Sequence, residues 1–312
     1  MREVDRLLHA IAGKEVSICL IGESGTGKEV LARRIHDLSA RRSGPFIPIN
    51  CAAIPEALFE SELFGHEKGA FTGAGERARG KIEAADGGTL FLDEVAEMPL
   101  AVQAKLLRFV ENHKFMRVGG TTKIAVDARV VCATLRPLED EVQAGRFRAD
   151  LFYRLQGITV RIPPLRERIA DIAPLVQQTT AQISARHATR PPRYTRAAMQ
   201  ALRSYAWPGN VRELRNVVEL VCLVREGKQV RVRDLPPALR PADILGESLR
   251  PSAAAEKIEI RLDRPLEESV QAILEAALEL EGGNRSRAAR RLGVSLRTMQ
   301  RFAARIVVPI RH

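Results

Sequence analysis

The stretch Gly22-Glu-Ser-Gly-Thr-Gly27-Lys28 constrains this chain more than any other. The apolar run Ser17 to Ile21 enters it and the helical pattern Glu29 to Leu38 leaves it, so the spacing G-x-x-x-x-G-K stands in the strand-loop-helix context that a phosphate-binding loop requires. Glycines there free backbone N–H groups to wrap phosphate oxygens, the helix directs its positive end at them, and Lys28 reaches the terminal phosphates. Gly22, Glu23, Ser24, Gly25, Thr26, Gly27, Lys28 and Glu29 are therefore candidate nucleotide-binding residues. Glu29 departs from the general motif, which has a Ser or Thr hydroxyl for magnesium at that position.

Further apolar runs bounded by Gly, Pro or Asp recur at Phe46 to Ile49, Thr89 to Leu92, Arg129 to Ala133 and Ile158 to Ile162, with helical patterns between most of them. That alternation predicts an α/β fold with a parallel sheet and crossover helices over residues 1–165. After Pro163-Pro164 the strand signal stops. Helical periodicity continues through Asp171 to Ala185, Thr195 to Tyr205 and Val211 to Glu226, which predicts a helical subdomain over 166–235. Residues 236–262, with Pro236-Pro237, Pro241, Pro251 and an Ala253-Ala-Ala255 run, suit a linker, and 263–312 are expected to form a small all-α module.

The strand Thr89 to Leu92 ends in Asp93-Glu94, about sixty-five residues beyond the phosphate loop. An aspartate so placed can hold Mg2+, and the adjacent glutamate can orient and deprotonate a water. Together with the loop, they make a hydrolysis site for a nucleotide such as ATP.

Composition sets limits. The 312 residues are 45% hydrophobic, 28% charged and 4% aromatic, as in a helix-rich globular protein. The most apolar stretches, Val16 to Ile21 and Val217 to Val224, are far shorter than a bilayer span, and Glu3 and Asp5 stand where a signal peptide would be basic. A cytoplasmic protein without a membrane partner is expected. Cys19, Cys51, Cys132 and Cys222 are widely spaced, with no Cys-x-x-Cys or His-x-x-x-His pattern, and read as small reduced core residues. The net charge of +11 favours a polyanionic partner without choosing one.

Between the two halves of the hydrolysis site stands Gly69-Ala-Phe-Thr-Gly-Ala74. This hexapeptide resembles the signature loop of the bacterial enhancer-binding proteins, AAA+ ATPases that remodel the closed complex of sigma-54 RNA polymerase. The resemblance covers almost the whole chain and implies that Gly69, Ala70, Phe71, Thr72, Gly73 and Ala74 contact sigma-54. Physically, Gly69 and Gly73 permit a protruding turn while Phe71 and Thr72 offer an apolar and a polar contact. The phosphate loop matches the family's with Glu29 included. Asn50, in Ile-Asn-Cys-Ala-Ala, is similar to the asparagine that restrains the catalytic glutamate. Arg148 and Arg154 resemble the two arginine fingers that a neighbouring subunit supplies, a task suited to a permanently charged planar fork of donors. Trp207-Pro-Gly-Asn-Val-Arg-Glu-Leu214 is similar to the lid motif in which Arg212 senses nucleotide, and its local pattern predicts a capping box formed by Asn210 and Glu213. The resemblance thus implies a P-loop AAA+ domain with a helical lid, assembled as a hexameric ring.

Two departures from the family stand out. Leu135 follows Ala133-Thr134 where an asparagine usually positions water, and a leucine side chain makes no hydrogen bond, so slower hydrolysis is expected. The chain also begins where family members are already inside the ATPase domain. Either a separate protein supplies regulation, or Met1 is an internal methionine of a longer reading frame.

In the terminal module, Leu266 to Leu280 reads as an amphipathic helix. Asn284 or Ser286 can cap a short helix to Leu292, and Ser295 can cap a last one from Leu296 to about Ile306. From Gly283 onward there are eight arginines and no acid. Arg297, Arg301 and Arg305 fall at i, i+4 and i+8 on the last helix, with Thr298 and Gln300 beside them and Arg285 upstream. This is the geometry of a recognition helix, and Gly283 to Ser295 resembles the Fis-type helix-turn-helix of the same family, dimeric on upstream enhancer DNA. Two other readings share parts of the pattern. A regulator that works with ordinary polymerase is opposed by the intact loop at Gly69 to Ala74, and an AAA+ helicase or unfoldase by the Fis-like terminus.

Overall fold

Strand β1 (Ile18–Ile21) is buried at all four positions, and so is the run Arg129–Thr134 at all six, because both of their faces find cover. These and the other elements come from a computed structural model that describes residues 2–240, 266–281, 283–292 and 294. The chain divides into two units, Met1–Leu245 and Gly246–His312.

In the first unit the strands after β1 are β2 (Phe46–Asn50), β3 (Gly65–His66), β4 (Ala78–Arg79), β5 (Thr89–Asp93), β6 (Lys114–Phe115), β7 (Ile124–Ala125), β8 (Arg129–Thr134), β9 (Ile158–Arg161), β10 (Arg193–Tyr194) and β11 (Gln229–Val230). The helices are α1 (Arg2–Ala12), α2 (Lys28–Asp37), α3 (Glu56–Phe64), α4 (Lys81–Ala84), α5 (Leu100–Asn112), α6 (Leu138–Gln143), α7 (Ala149–Leu155), α8 (Ile172–Arg186), α9 (Arg196–Ser204) and α10 (Asn210–Val224). Five strands form one parallel sheet in the order β2-β5-β8-β1-β9. The expected α/β class and parallel sheet are observed. Three of the strands run one residue further than the apolar pattern, to Asn50, Asp93 and Thr134, because the parallel ladder continues into these polar residues.

Strand alternation sorts the core into two layers. Ile18 and Leu20 pack with Leu8 and Ile11 of α1 and Leu31 and Ile35 of α2. Cys19 and Ile21 lie with Phe59 and Leu63 of α3 and Leu106 and Phe109 of α5. All four cysteines are buried and free.

Helices α8 to α10 make the lid around Trp207, which is fully buried and donates its indole N–H to the Leu202 carbonyl at 2.8 Å. On α10, Leu214, Val217, Val218, Val221 and Cys222 recur at the helical period and face that core. The two-residue ribbons β3–β4, β6–β7 and β10–β11 carry no periodic signal in the sequence, since two residues are too few to show one.

The second unit contains α11 (Leu266–Leu280) and α12 (Arg285–Leu292), with Leu274, Ala277, Ala288 and Ala289 buried together. Asn284 is the cap: its side chain accepts from the backbone N–H of Arg287 at 3.2 Å. Arg285 is exposed on the first turn of α12. The expected last helix, with Arg297, Thr298, Gln300, Arg301 and Arg305, lies outside the described residues. Among the described residues no helix is long and apolar enough to cross a membrane.

Candidate nucleotide site

Parallel register brings every strand end of interest to one edge of the sheet. Asn50 lies opposite Asp93, and Ile21, which leads into the glycine loop, lies opposite Thr134. In open α/β sheets this carboxyl edge is where ligands bind. A cleft of about 370 Å³ opens there, lined by Ser24, Gly25, Gly27, Lys28 and Glu29 of the loop, Asp93 and Glu94 of β5, and Val211, Arg212, Arg215, Asn216 and Glu219 of the lid. Residues separated by nearly two hundred positions thus converge on one volume.

Backbone conformation shapes the loop. Gly25 and Gly27 have φ of 74° and 100°, the left-handed region that a side chain resists. A Cβ on Gly25 would lie 2.4 Å from the Gly209 carbonyl oxygen, so this glycine is also what lets the lid approach. Helix α2 begins at Lys28. The lysine is buried, and its ammonium donates to the carbonyls of Gly22 at 3.0 Å and Glu23 at 3.4 Å. Burial pulls its pKa down, with the nearby carboxylates of Glu94 and Asp93 acting the other way. This cradle of bare backbone with one buried cation fits a polyphosphate.

Asp93 and Glu94 face it from the sheet. Glu94 is held at φ 55°, an uncommon conformation for a side-chain-bearing residue, and its N–H is taken by the Asp93 carboxylate at 3.0 Å. Its own carboxyl is pushed up by burial, against the pull of Lys28, with Asp93 adding to the rise. A carboxylate with a raised pKa beside a buried lysine is equipped to take a proton from water.

The lid grips the loop from above. The predicted capping box is half corrected. Glu213 does accept from the backbone N–H of Gly209 at 2.9 Å, but Asn210 caps nothing and is the first residue of α10, at φ 50°. It is fully buried against the glycine loop, where stronger partners are available. Its oxygen accepts from the Leu165 N–H at 2.7 Å, and its amide donates to the Glu23 carboxylate at 3.1 Å and the Ser24 carbonyl at 3.0 Å. Arg166 adds two hydrogen bonds to Glu23, at 2.9 and 2.6 Å, and these contacts from Arg166 and Asn210 hold the Glu23 pKa down at about 2. Arg168 donates to the Thr26 carbonyl at 2.9 Å and Arg212 to the Ser24 hydroxyl at 3.0 Å. Sequence reasoning missed Arg166, Arg168 and the true role of Asn210. Arg215 was missed as well, although it lies one helical turn from Arg212 and so on the same face of α10.

Three further candidates stand apart from this cluster. Asn50 caps a short 3₁₀ turn by accepting from the Ala52 N–H at 3.0 Å, and among the described residues it makes no hydrogen bond to Glu94. Arg148 precedes α7 and pairs with Asp150 at 3.0 and 2.7 Å. Arg154, in the last turn of α7, borders a separate hollow with Arg41, Arg129 and Tyr153. Neither arginine lines the phosphate cleft of its own chain.

The loop Gly69 to Ala74 rises between β3 and β4. Gly69, at φ 80°, donates its N–H to the Ala74 carbonyl at 2.8 Å, and Ala74 donates to that of Phe71 at 3.0 Å. Phe71 is 40% exposed with its ring against His66 at 5.0 Å, and Thr72 is exposed. The β6–β7 hairpin supports the loop. Arg117, buried, joins Glu67 and Glu83 at 2.7 Å each, and the Glu67 N–H reaches the Val118 carbonyl at 3.0 Å.

Family comparison matches residues 1–161 to the sigma-54 interaction domain, 166–248 to an AAA+ ATPase lid domain and 266–301 to bacterial regulatory proteins of the Fis family. This chain belongs to the sigma-54-dependent regulators. Among them, the transcriptional regulatory protein ZraR of Klebsiella oxytoca is 43% identical over 304 residues, 96% of this chain and 66% of that protein. The response regulator PilR of Pseudomonas aeruginosa is 44% identical over 300 residues, with the same coverage. The chain thus spans about two thirds of the length of these relatives. Among solved structures, NtrX from Brucella abortus in complex with ATP is similar at a TM-score of 0.73 and 34% identity, over 99% of this chain and 68% of that one. The sigma-54 interaction domain with its AAA+ lid is an ATPase family.

Proposed function

We propose that the protein hydrolyses ATP in an oligomeric ring, six-membered as the resemblance implies, and uses the cycle to remodel sigma-54 RNA polymerase while its terminal module holds upstream DNA. The convergence of Lys28, Asp93, Glu94 and Arg212 on one cleft carries this reading. Residues 1–165 would be the nucleotide-binding subdomain, 166–235 the lid, 236–262 a linker and 263–312 the DNA-binding domain, in a cytoplasmic protein.

In this mechanism the backbone from Gly22 to Gly27 and the Lys28 ammonium bind the phosphates, and Glu94 takes a proton from the attacking water. Asp93 would hold Mg2+, whose charge supports the leaving phosphate. Glu29, at the cleft, gives the ion no hydroxyl ligand. Arg148 and Arg154 of a neighbouring protomer stabilise charge as it develops, Arg148 by exchanging its Asp150 partner for phosphate oxygens. Asn50 restrains Glu94 until the neighbour engages. The lid senses the outcome through Arg212 on Ser24 and through Asn210 and Arg166 on Glu23. Phe71 and Thr72, presented at the tip of the 69–74 loop, pass the motion to sigma-54.

Two measurements test this together: ATPase rate against protein concentration, and sigma-54 promoter opening for the parent chain and Phe71→Ala. A specific rate that rises with concentration, with opening lost in the variant while ATPase persists, is expected. No ATPase at any concentration would sink the proposal and leave a DNA-binding regulator.

A further inference from the structure

We infer that the lid carries a second, sequence-independent contact for duplex DNA on the outer face of the β10–β11 ribbon. It rests on the reading that the terminal module binds DNA.

Charge distribution makes the first part of the case. Residues 1–165 hold 23 Lys and Arg against 22 Asp and Glu, whereas residues 166–240 hold 14 against 6. The lid therefore carries most of the net +11, although it is less than a quarter of the chain. Folding of the lid needs no such surplus, since its core is the apolar cluster around Trp207. A net charge concentrated on one subdomain is an electrostatic footprint for a polyanion.

Register then places the charge. In the parallel pair, Arg193 lies opposite Gln229 and Tyr194 opposite Val230. Val230 is fully buried and Tyr194 packs on the lid core, so strand alternation puts Arg193 and Gln229 on the outer face. Arg231, two positions on from Gln229, continues that face, as the Thr195 N–H bonding the Val230 carbonyl at 3.0 Å extends the ladder. Arg190 lies across the turn before β11: the Gly227 N–H donates to its carbonyl at 2.9 Å, and a Cβ on Gly227 would meet the Arg190 Cβ at 3.3 Å. Arg190, Arg193, Lys228 and Arg231 are all exposed, and none forms an ion pair among the described residues. Two acids lie close by, but their carboxylates meet backbone N–H groups and Arg225, not the side chains of these four. Glu226 accepts from the backbone N–H of Arg190 at 3.3 Å, while Asp234 accepts from that of Arg231 at 2.8 Å and pairs with Arg225 at 3.4 Å.

Three guanidinium groups and an ammonium without side-chain ion pairs, on and beside one short ribbon, repel one another, and phosphate oxygens placed against them relieve that repulsion. Guanidinium suits phosphate through its planar fork of donors. Chain connectivity selects DNA among polyanions. Only 25 residues separate Arg240 from Leu266, where the terminal module begins. Fully extended they reach at most about 90 Å, so duplex held by the module is presented to the lid at high effective concentration.

The test is the salt dependence of binding to a labelled random-sequence duplex, using the full chain. Arg190→Gln/Arg193→Gln/Arg231→Gln should lower the slope of log K against log salt by about 2 to 3, at roughly 0.9 per phosphate contact, with an unchanged thermal unfolding midpoint. A slope equal to the parent's overturns the proposal. So does an equal loss of affinity for polyglutamate, which would mark a surface that does not select DNA. Arg297→Gln/Arg301→Gln keeps the two readings apart. If that variant weakens binding while the triple lid variant does not, only the lid contact fails; if it binds like the parent, the terminal-module reading fails instead.

Discussion

At Glu94 conformation and burial act on the same group. Its backbone is held in the left-handed region and its carboxyl is raised by burial, with Lys28 opposing. Glu94→Gln, nearly isosteric, should lower the ATPase rate by roughly 10²- to 10⁴-fold while nucleotide still binds, as read by a fluorescent analogue. The same raised pKa sets a pH limb. A general base must be deprotonated, so kcat should fall on acidification at a pH above the usual carboxylate range, and a limb at ordinary glutamate values would argue against Glu94 as the base. Leu135 is the complementary case. It directly follows Thr134, the last residue of β8, is 40% exposed, and has a side chain that can make no hydrogen bond. Leu135→Asn should raise kcat with stability within about 0.5 kcal/mol of the parent, as exposed substitutions usually are. An unchanged kcat would show that water is positioned elsewhere.

Between elements, the decisive contact is α10 against the glycine loop. Asn210 satisfies the buried Leu165 N–H and ties Glu23 and Ser24 to the lid. Asn210→Ala strands that N–H without a partner, a loss of about 1–3 kcal/mol. It should lower the unfolding midpoint and raise KM for nucleotide more than it lowers kcat. Equal midpoints would mean that the lid does not depend on this contact. Glu23 gives the grip a pH signature. Its folded pKa of about 2 lies below the ordinary 4.5, so its contribution is complete above pH 4.5 and is lost as pH falls toward 2. With the Glu23 side chain 43% exposed, solvent screens the pair and the size of that contribution is small. Acid titration of Glu23→Gln should lack this component.

For the whole molecule, the placement of Arg148 and Arg154 away from their own cleft leads to a test of assembly. Under the proposed ring assembly, mixing Glu94→Gln chains with Arg148→Ala/Arg154→Ala chains, each expected to be inactive alone, should restore part of the ATPase rate, because mixed rings would contain junctions with an intact Glu94 facing intact arginines. No recovery at any ratio would place the arginines outside the reaction.

Residues 1–165 were legible as a parallel α/β fold because a buried strand must be an apolar run and a phosphate loop must follow its strand directly. Both are local requirements, and the two acids after β5 obey the same rule. The terminal helix α11 was legible for a similar reason, since a stripe at the helical period depends only on nearby residues. Tertiary structure alone decided the rest. Asn210 looks like a cap in sequence, yet it lies under the phosphate loop because Gly25, far away in the chain, leaves room for Gly209. Arg166 and Arg168 have no local mark, for their partners Glu23 and Thr26 come close only when the lid folds back over the sheet. The support of Arg117 for the 69–74 loop was hidden likewise: an ion pair across loops has no period, and only folding sets its partners side by side.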